Sequence, residues 1–134
     1  MRRILLDANV LMSPWTLDVV MCLADAGMVV PFWSEEILAE FTRAAHRLGR
    51  GNLADSVKCS LMASYPQALV DPGGADIDSI SLPDPDDRHV VAAALEGGCD
   101  CIVTYNLRDF PQDVMEDLDL RALSPDELVM ELVH

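Results

Sequence analysis

The chain has 134 residues, enough for one domain with a substantial core but short for two, so residues 1–134 are predicted to form a single domain. Hydrophobic residues make up 51% of the chain and charged residues 24%, which argues against disorder, and no apolar run is long enough to cross a bilayer. The formal net charge of -14 repels nucleic acid and favours bound divalent cations or a basic protein partner, although a solvated acidic surface requires neither.

The first residues and the cysteines bear on where in the cell the protein acts. Two arginines precede an apolar run, as in a secretory signal, but Asp7 and Asn9 interrupt that run and no small-residue cleavage site follows. The cysteines show neither a C-x-x-C pair nor accompanying histidine spacing, which argues against zinc and against a disulfide framework. We therefore expect no export, a reducing cytoplasmic environment, and four free, buried thiols.

The first half of the chain predicts strand, helix, strand and helix. Residues 3–6 and 28–33 are continuous apolar runs, which are typical of central parallel strands covered on both faces. Between them, residues 16–26 carry apolar side chains at helical spacing and are followed by Gly27, a residue that commonly ends helices. Ser34 is predicted to cap a second helix, which has an acidic first turn and one apolar face.

The second half continues this alternation. The predicted elements are a helix at 52–65, a strand at 68–70, a loop at 71–87, a helix at 87–96, a strand at 99–106, a strand at 120–123 and a helix that Ser124 caps. Strands that alternate with helices predict an α/β domain, in which helices flank a central, mainly parallel β-sheet.

Asp7 and Asp87 are the first candidate site residues. Ligands of open parallel sheets bind outside the carboxyl ends of the strands, and Asp7 follows the first strand at that end; a turn residue bonded to its own backbone is the alternative. Asp87 lies on the helix column that faces the core, where an ionised acid needs a cation, a donor or a water-filled cleft. Asp84 and Asp86 are assigned mainly to capping the start of this helix, and capping is also the alternative to a site for Asp87.

Glu40 and the segment after the fourth strand supply further candidates. Glu40 lies beside the apolar face of its helix, where a solvated ion pair with Arg43 is the structural alternative to a site. Thr104, Asn106 and Asp109 lie just past a strand end and could converge with Asp7.

Several carboxylates at one edge of a sheet predict a metal site. They cannot all stay charged unless cations neutralise them, and hard oxygen ligands suit Mg²⁺ or Mn²⁺. A metal of this kind lowers the pKa of a bound water and stabilises charge on a phosphate, which is how carboxylate sites cut phosphodiesters. The histidines have no evident Ser or Cys partner, and His89 is expected to be exposed, so other hydrolytic chemistries are less well supported.

Three blocks of the sequence, "LLDANVLM", "SEEILAEF" and "DPDDRHVVAAALEGGCDCIVTYNLRDFP", together resemble the PIN-domain family, especially the ribonuclease toxins of prokaryotic toxin-antitoxin modules. The resemblance spans nearly the whole chain and implies a three-layer PIN-like fold. By matching position, it implies that Asp7, Glu40 and Asp87 bind Mg²⁺ or Mn²⁺. The family often has an acid where this chain has Asn106, so the fourth ligand is open between Asn106 and Asp109.

The same resemblance implies endonucleolytic cleavage of single-stranded RNA by a metal-bound water. Asp7, Glu40, Asp87 and Asp109 are then the catalytic acids, and Asn9, Thr104 and Asn106 the expected substrate contacts. Arg43 and Arg47, on the helix that bears Glu40, offer a local contact for phosphate in an otherwise acidic protein. The family likeness also implies a homodimer and a basic antitoxin that occupies the site, an encounter that the net charge of -14 would favour.

Two other functions remain open on the sequence. A haloacid dehalogenase-type phosphatase also places an Asp after its first strand, but it expects a second Asp where this chain has Asn9. Its expected basic partner is missing too, because Lys58 is the only lysine and does not follow a strand. A PIN-like module that binds a metal or a protein with weak or no nuclease activity is the other alternative, and Asn106 keeps it open.

Overall fold

Five parallel strands form the centre of the protein in a computed structural model that describes residues 2–73 and 77–133. The strands are β1 (Arg2–Leu6), β2 (Val29–Ser34), β3 (Leu69–Val70), β4 (Cys101–Val103) and β5 (Arg121–Leu123). Their order across the sheet is β3-β2-β1-β4-β5, and every neighbouring pair is parallel. The predicted three-layer α/β architecture, with helices flanking a central parallel sheet, is confirmed.

Seven α-helices connect and cover these strands within the described residues. They are α1 (Ala8–Leu11), α2 (Pro14–Asp25), α3 (Glu35–Arg47), α4 (Gly51–Ser64), α5 (Arg88–Glu96), α6 (Gln112–Asp117) and α7 (Pro125–Leu132). Short 3₁₀ turns lie at Ile77–Ser79, Pro85–Asp87 and Leu107–Asp109. None of the helices in this part of the chain combines the length and the apolar character that a bilayer crossing requires.

Burial of the sheet on both faces explains why its inner strands are continuously apolar. Ile4, Leu5 and Leu6 of β1 have no exposed surface, and Leu5 pairs in register with Phe32 of β2 and Ile102 of β4. The two tryptophans contrast sharply, because Trp33 in β2 is 0% exposed whereas Trp15 in α2 is 83% exposed. The core therefore centres on β1 and its two neighbours, and it places the carboxyl ends of these strands side by side.

The helix ends follow the predicted signals. The Ser34 hydroxyl accepts a hydrogen bond from the backbone N–H of Ile37 at 3.1 Å, which satisfies a free donor in the first turn of α3. Ser124 and Glu127 form a capping box at the start of α7. Gly27 has a φ of +76° after α2, a left-handed conformation that glycine adopts without strain. These local signals fix where α3 and α7 begin and where α2 ends.

Several sequence-based expectations are corrected. The short helices α1 and α6 were not predicted, because four and six residues are too few for a recognisable periodic pattern. A 3₁₀ turn precedes α5, so the α-helix begins at Arg88 rather than Asp87. Cys99 and Cys101 are buried, whereas Cys22 and Cys59 are exposed, so the prediction of burial was wrong for two of the four thiols. Within the predicted loop at 71–87, residues 74–76 lie outside the described residues.

Candidate functional site

Asp7 lies at the carboxyl end of β1, where β1 is flanked by β2 and β4. Asp7 caps α1, since its Oδ1 accepts a hydrogen bond from the backbone N–H of Ala8 at 2.8 Å. The backbone N–H of Asp7 donates to the carbonyl of Val103 at 3.1 Å, which ties the residue to the end of β4. Asp7 is only 7% exposed, and its carboxylate is therefore held rigidly at the edge of the sheet.

Thr104 is the centre of the hydrogen bonds around Asp7. It follows β4, has no exposed surface, and its hydroxyl donates to Asp7 Oδ2 at 3.0 Å. Thr104 Oγ1 itself accepts hydrogen bonds from Asn9 Nδ2 at 3.0 Å and from the backbone N–H of Asn106 at 3.1 Å. Asn9 Oδ1 in turn accepts from the backbone N–H of Tyr105 at 3.1 Å. Both ends of the Asn9 amide and the Thr104 hydroxyl are thus engaged within the protein.

Thr104→Val is expected to destabilise the fold by about 2 kcal/mol. Valine has nearly the same shape as threonine but lacks the buried hydroxyl, so the hydrogen-bond partners of that hydroxyl are left unsatisfied. Thr104→Ser keeps the hydroxyl and is the matched control. Urea unfolding of the two variants and the wild type measures the difference. Equal stability of the Val and Ser variants would show that the hydroxyl does not hold this network together.

The pKa of Asp87 shows that other acids lie near it. Asp87 ends the 3₁₀ turn before α5 and is partly buried. Burial, the largest cause, and the negative charges of four other acids together raise the pKa of Asp87 to about 6; in decreasing order these acids are Asp109, Asp84, Asp7 and Glu40. Three of the predicted acids, Asp7, Glu40 and Asp109, therefore come from separate segments and lie close enough to Asp87 for their charges to affect it.

The pKa of Asp7 is also raised. Burial is the main cause, and the charge of Glu40 adds to it. The hydrogen bonds from Thr104 and Ala8 and the proximity of His89 act in the opposite direction without reversing the shift. Both Asp7 and Asp87 are thus less stable as carboxylates than a fully solvated acid, mainly because they are buried and in part because other acids lie nearby.

Glu40 has a partner that the sequence did not reveal. His89 Nε2 forms a hydrogen bond with Glu40 Oε1, while Arg43 pairs with Glu36 at 3.6 Å. The predicted alternative of a Glu40–Arg43 ion pair is therefore wrong, and so is the expectation that His89 is exposed, because its side chain is only 14% exposed. Burial lowers the pKa of His89, but the hydrogen bond to Glu40 and the surrounding negative charges outweigh it, so the pKa is raised.

An open cleft of about 890 Å³ lies above this edge of the sheet. Asn9, Glu36, Glu40, Asp87 and His89 are among the residues that line it, and we call it the acidic cleft. Arg43 and Arg47 contribute to its wall, as their position on the helix of Glu40 suggested. Asn106 follows β4 as an exposed residue, and Asp109 is half-buried in the next 3₁₀ turn.

Glu36, Asp84, Asp86 and His89 line the acidic cleft although the sequence did not predict them as site residues. One ligand atom from each of Glu36, Glu40 and His89 lies within 4.8 Å of the others. Glu36 could have been found, because it lies one helical turn before Glu40 on the same face. Contact between His89 and Glu40 could not, because it depends on how α5 packs relative to α3.

The donors around the acidic cleft fit a hard divalent cation. Carboxylate oxygens dominate the set, and these are the ligands that Mg²⁺ and Mn²⁺ prefer; an imidazole is also compatible with Mn²⁺. Burial is the main reason why the pKa values of Asp7 and Asp87 are raised, and a cation bound beside them would favour their charged forms. Among the described residues, Glu36, Glu40 and His89 are the group whose ligand atoms lie close enough together to share one ion, and Asp87 lines the same cleft. Asp7 and Asp109 are not among the residues that line the cleft, but their charges act on Asp87.

Comparison with known proteins gives two matches. The sequence model of the PIN domain family matches residues 3–108. A segment of 45 residues is 42% identical to the Mycobacterium tuberculosis (strain ATCC 25618 / H37Rv) protein described as "Putative ribonuclease VapC50". That segment covers 34% of this chain and 27% of the relative, so the similarity reaches only about a quarter of the relative's length.

Proposed function

The chain belongs to the PIN domain family, and from this membership and the acidic cleft we propose that it is a divalent-metal-dependent endoribonuclease that cuts single-stranded RNA. The observation that carries the proposal is a cleft lined by Glu40 and Asp87 at the carboxyl edge of the sheet, together with the effect of the charges of Asp7, Glu40 and Asp109 on Asp87. The ribonuclease named among its relatives supports the same reaction class.

In the proposed reaction, Asp7, Glu40, Asp87 and Asp109 would hold Mg²⁺ or Mn²⁺. When bound, the cation supplies positive charge that lowers the pKa of water and stabilises negative charge on a phosphate. The Thr104 hydroxyl and the Ala8 N–H fix the orientation of the Asp7 carboxylate before any ligand arrives. Preorganised oxygens of this kind need no rearrangement during the reaction, which lowers its barrier.

The remaining predicted contacts divide between positioning and substrate binding. We propose that Asn9 and Thr104 position Asp7, because their polar atoms are engaged with one another, with Asp7 and with the segment after β4. Arg43 and Arg47 are suited to contact phosphate groups of the RNA, since they line the acidic cleft. The exposed Asn106 is left to contact either the cation or the RNA.

We further propose that the protein acts in the cytoplasm as the toxin of a toxin-antitoxin pair and forms a homodimer. A net charge of -14 favours association with a basic antitoxin, because opposite charges accelerate the encounter of two proteins. A basic side chain of that partner, placed in the acidic cleft, would compete with the cation for the same carboxylates.

The proposal is tested with an end-labelled single-stranded RNA and the purified full chain. We expect cleavage with Mg²⁺ or Mn²⁺, and none after chelation, since the carboxylates alone supply no positive charge for the phosphate. Gel electrophoresis of the products measures cleavage and shows whether the cuts are internal.

Asp55→Asn is a suitable control in this assay, because it removes one exposed negative charge from α4, outside the acidic cleft, and should leave cleavage unchanged. If the chain binds the cation but leaves RNA intact, the protein is a metal-binding module of the PIN fold and the ribonuclease proposal is wrong.

A further inference from the structure

A hydrogen bond between His89 and Glu40 links α5, which directly follows the turn that carries Asp87, to α3. His89 lies in the first turn of α5, two residues after Asp87, and Glu40 lies in the middle of α3. Their side chains are 14% and 32% exposed, so the contact is largely shielded from water. The hydrogen bond between the two helices therefore fixes Glu40 relative to the segment that carries Asp87.

The surroundings of the imidazole determine which nitrogen carries the hydrogen. Nε2 contacts Glu40 Oε1, whereas Nδ1 is buried and has no hydrogen-bond partner among residues 2–73 and 77–133. A hydrogen on Nδ1 would be a buried donor without an acceptor, which is costly. The neutral tautomer that satisfies this environment has its hydrogen on Nε2, and it donates that hydrogen to the Glu40 carboxylate.

Glu40 needs such a donor because its other neighbours repel it or are engaged elsewhere. Glu36 lies one helical turn away with the same charge, and Arg43, the nearest cation on the helix, pairs with Glu36. Asp7 and Asp87 add further negative charge on the side of the cleft. A glutamate with a long, rotatable side chain would turn toward solvent in this field if nothing held it.

We propose that His89 is a positioning residue that holds the Glu40 carboxylate toward Asp7 and Asp87, so that the protein presents its oxygens preassembled for a divalent cation. The hydrogen bond occupies Oε1 and leaves Oε2 without a hydrogen-bond partner among the described residues. The inference rests on the proposed role of the cleft as a metal site, and it assigns to His89 an action through Glu40 rather than on the cation or the RNA.

Three substitutions in the full chain test this role through the affinity for Mg²⁺ and Mn²⁺, measured by calorimetry without RNA. His89→Ala is expected to weaken binding of both ions by about 10- to 100-fold, the usual cost of losing a residue that orients a ligand. His89→Gln should recover most of this loss, because its amide N–H reaches about as far as Nε2. His89→Asn, which has the same amide on a shorter side chain, should not.

A double-substitution cycle separates this role from a general effect on the fold. If His89 acts through the charge and orientation of the Glu40 carboxylate, His89→Ala should cause no further loss of affinity in a Glu40→Gln background. Urea unfolding checks that each variant is folded, and the contrast between Gln and Asn at position 89 decides the question if the Ala variant unfolds.

Two outcomes would overturn the inference. Unchanged affinities in His89→Ala and His89→Asn would show that Glu40 needs no support. A loss that is much larger for Mn²⁺ than for Mg²⁺, and that Gln does not restore, would make the imidazole a direct ligand. Absence of RNA cleavage with the expected pattern of metal affinities would refute the proposed ribonuclease function and leave the positioning role intact.

Discussion

Asp87→Asn and Asp7→Asn are each expected to lower the rate of RNA cleavage by about 10³-fold or more, because each removes a charged oxygen ligand from the proposed metal site. Asp87 is the more informative position, since four other acids influence its pKa and it therefore lies where the negative charges overlap. Initial rates on an end-labelled RNA at saturating Mn²⁺, and again at limiting Mn²⁺, separate lost affinity for the ion from lost chemistry.

Asp113→Asn provides the comparison, because it makes the same chemical change at an exposed position in the first turn of α6. It should cut RNA at the wild-type rate. Circular dichroism and urea unfolding of the Asp7 and Asp87 variants must show intact folds. If both variants instead unfold, these acids maintain the structure and the loss of activity says nothing about catalysis.

Removal of divalent ions is expected to lower the melting temperature at pH 7.5 by roughly 10 °C relative to protein with the ion at a hundred times its Kd. The ion binds only the folded chain, in which the acids are assembled, and so stabilises it by about 2.7 kcal/mol at that concentration. Asp87→Asn should remove most of this stabilisation, and differential scanning calorimetry with and without the ion measures it.

Without ions, the free energy of unfolding should fall as the pH rises from 5 to 7.5. The folded protein binds a proton at Asp87 more tightly than the unfolded chain, since the pKa rises from 3.8 to about 6, and this advantage is lost as the pH passes through that range. The raised pKa values of Asp7 and His89 act in the same direction.

Asp87→Asn should therefore be more stable than the ion-free wild type at pH 7.5, by about 1 kcal/mol after allowance for solvent screening of a partly exposed group. Urea unfolding at the two pH values tests the sign. A wild type that gains stability toward pH 7.5, or an Asn variant that is less stable there, would contradict the electrostatic account of the cleft.

The secondary-structure elements could be predicted where burial or capping requires a particular type of residue at nearby positions in the sequence. Residues 4–6 and 28–33 are uniformly apolar because the sheet is covered on both faces, and Ser34 and Ser124 are caps because free backbone donors follow them. The start of α5 was misplaced by one residue because Asp84 and Pro85 favour a helical start without distinguishing a 3₁₀ turn from an α-helix. The local sequence pattern therefore predicts the presence of a helix or strand more reliably than the residue at which it begins.

The candidate site was only partly predictable, because its contacts join distant segments. Strand order explains why Asp7 and Thr104 meet, since β1 and β4 are neighbours, and this followed from the rule for carboxyl ends of parallel strands. The pairing of Glu40 with His89 rather than Arg43 depends on the packing of α5 relative to α3, which no spacing in the sequence encodes.

Because their environments are opposite, the two tryptophans can serve as separate intrinsic fluorescent probes. Trp33, sealed within β2, should emit at short wavelength and shift to the red only when the sheet comes apart, whereas Trp15 on α2 already emits as if in water. A dissolved quencher such as iodide would extinguish Trp15 first. In the Trp15→Phe variant, Trp33 is the only tryptophan, and its fluorescence therefore measures global unfolding without an attached dye.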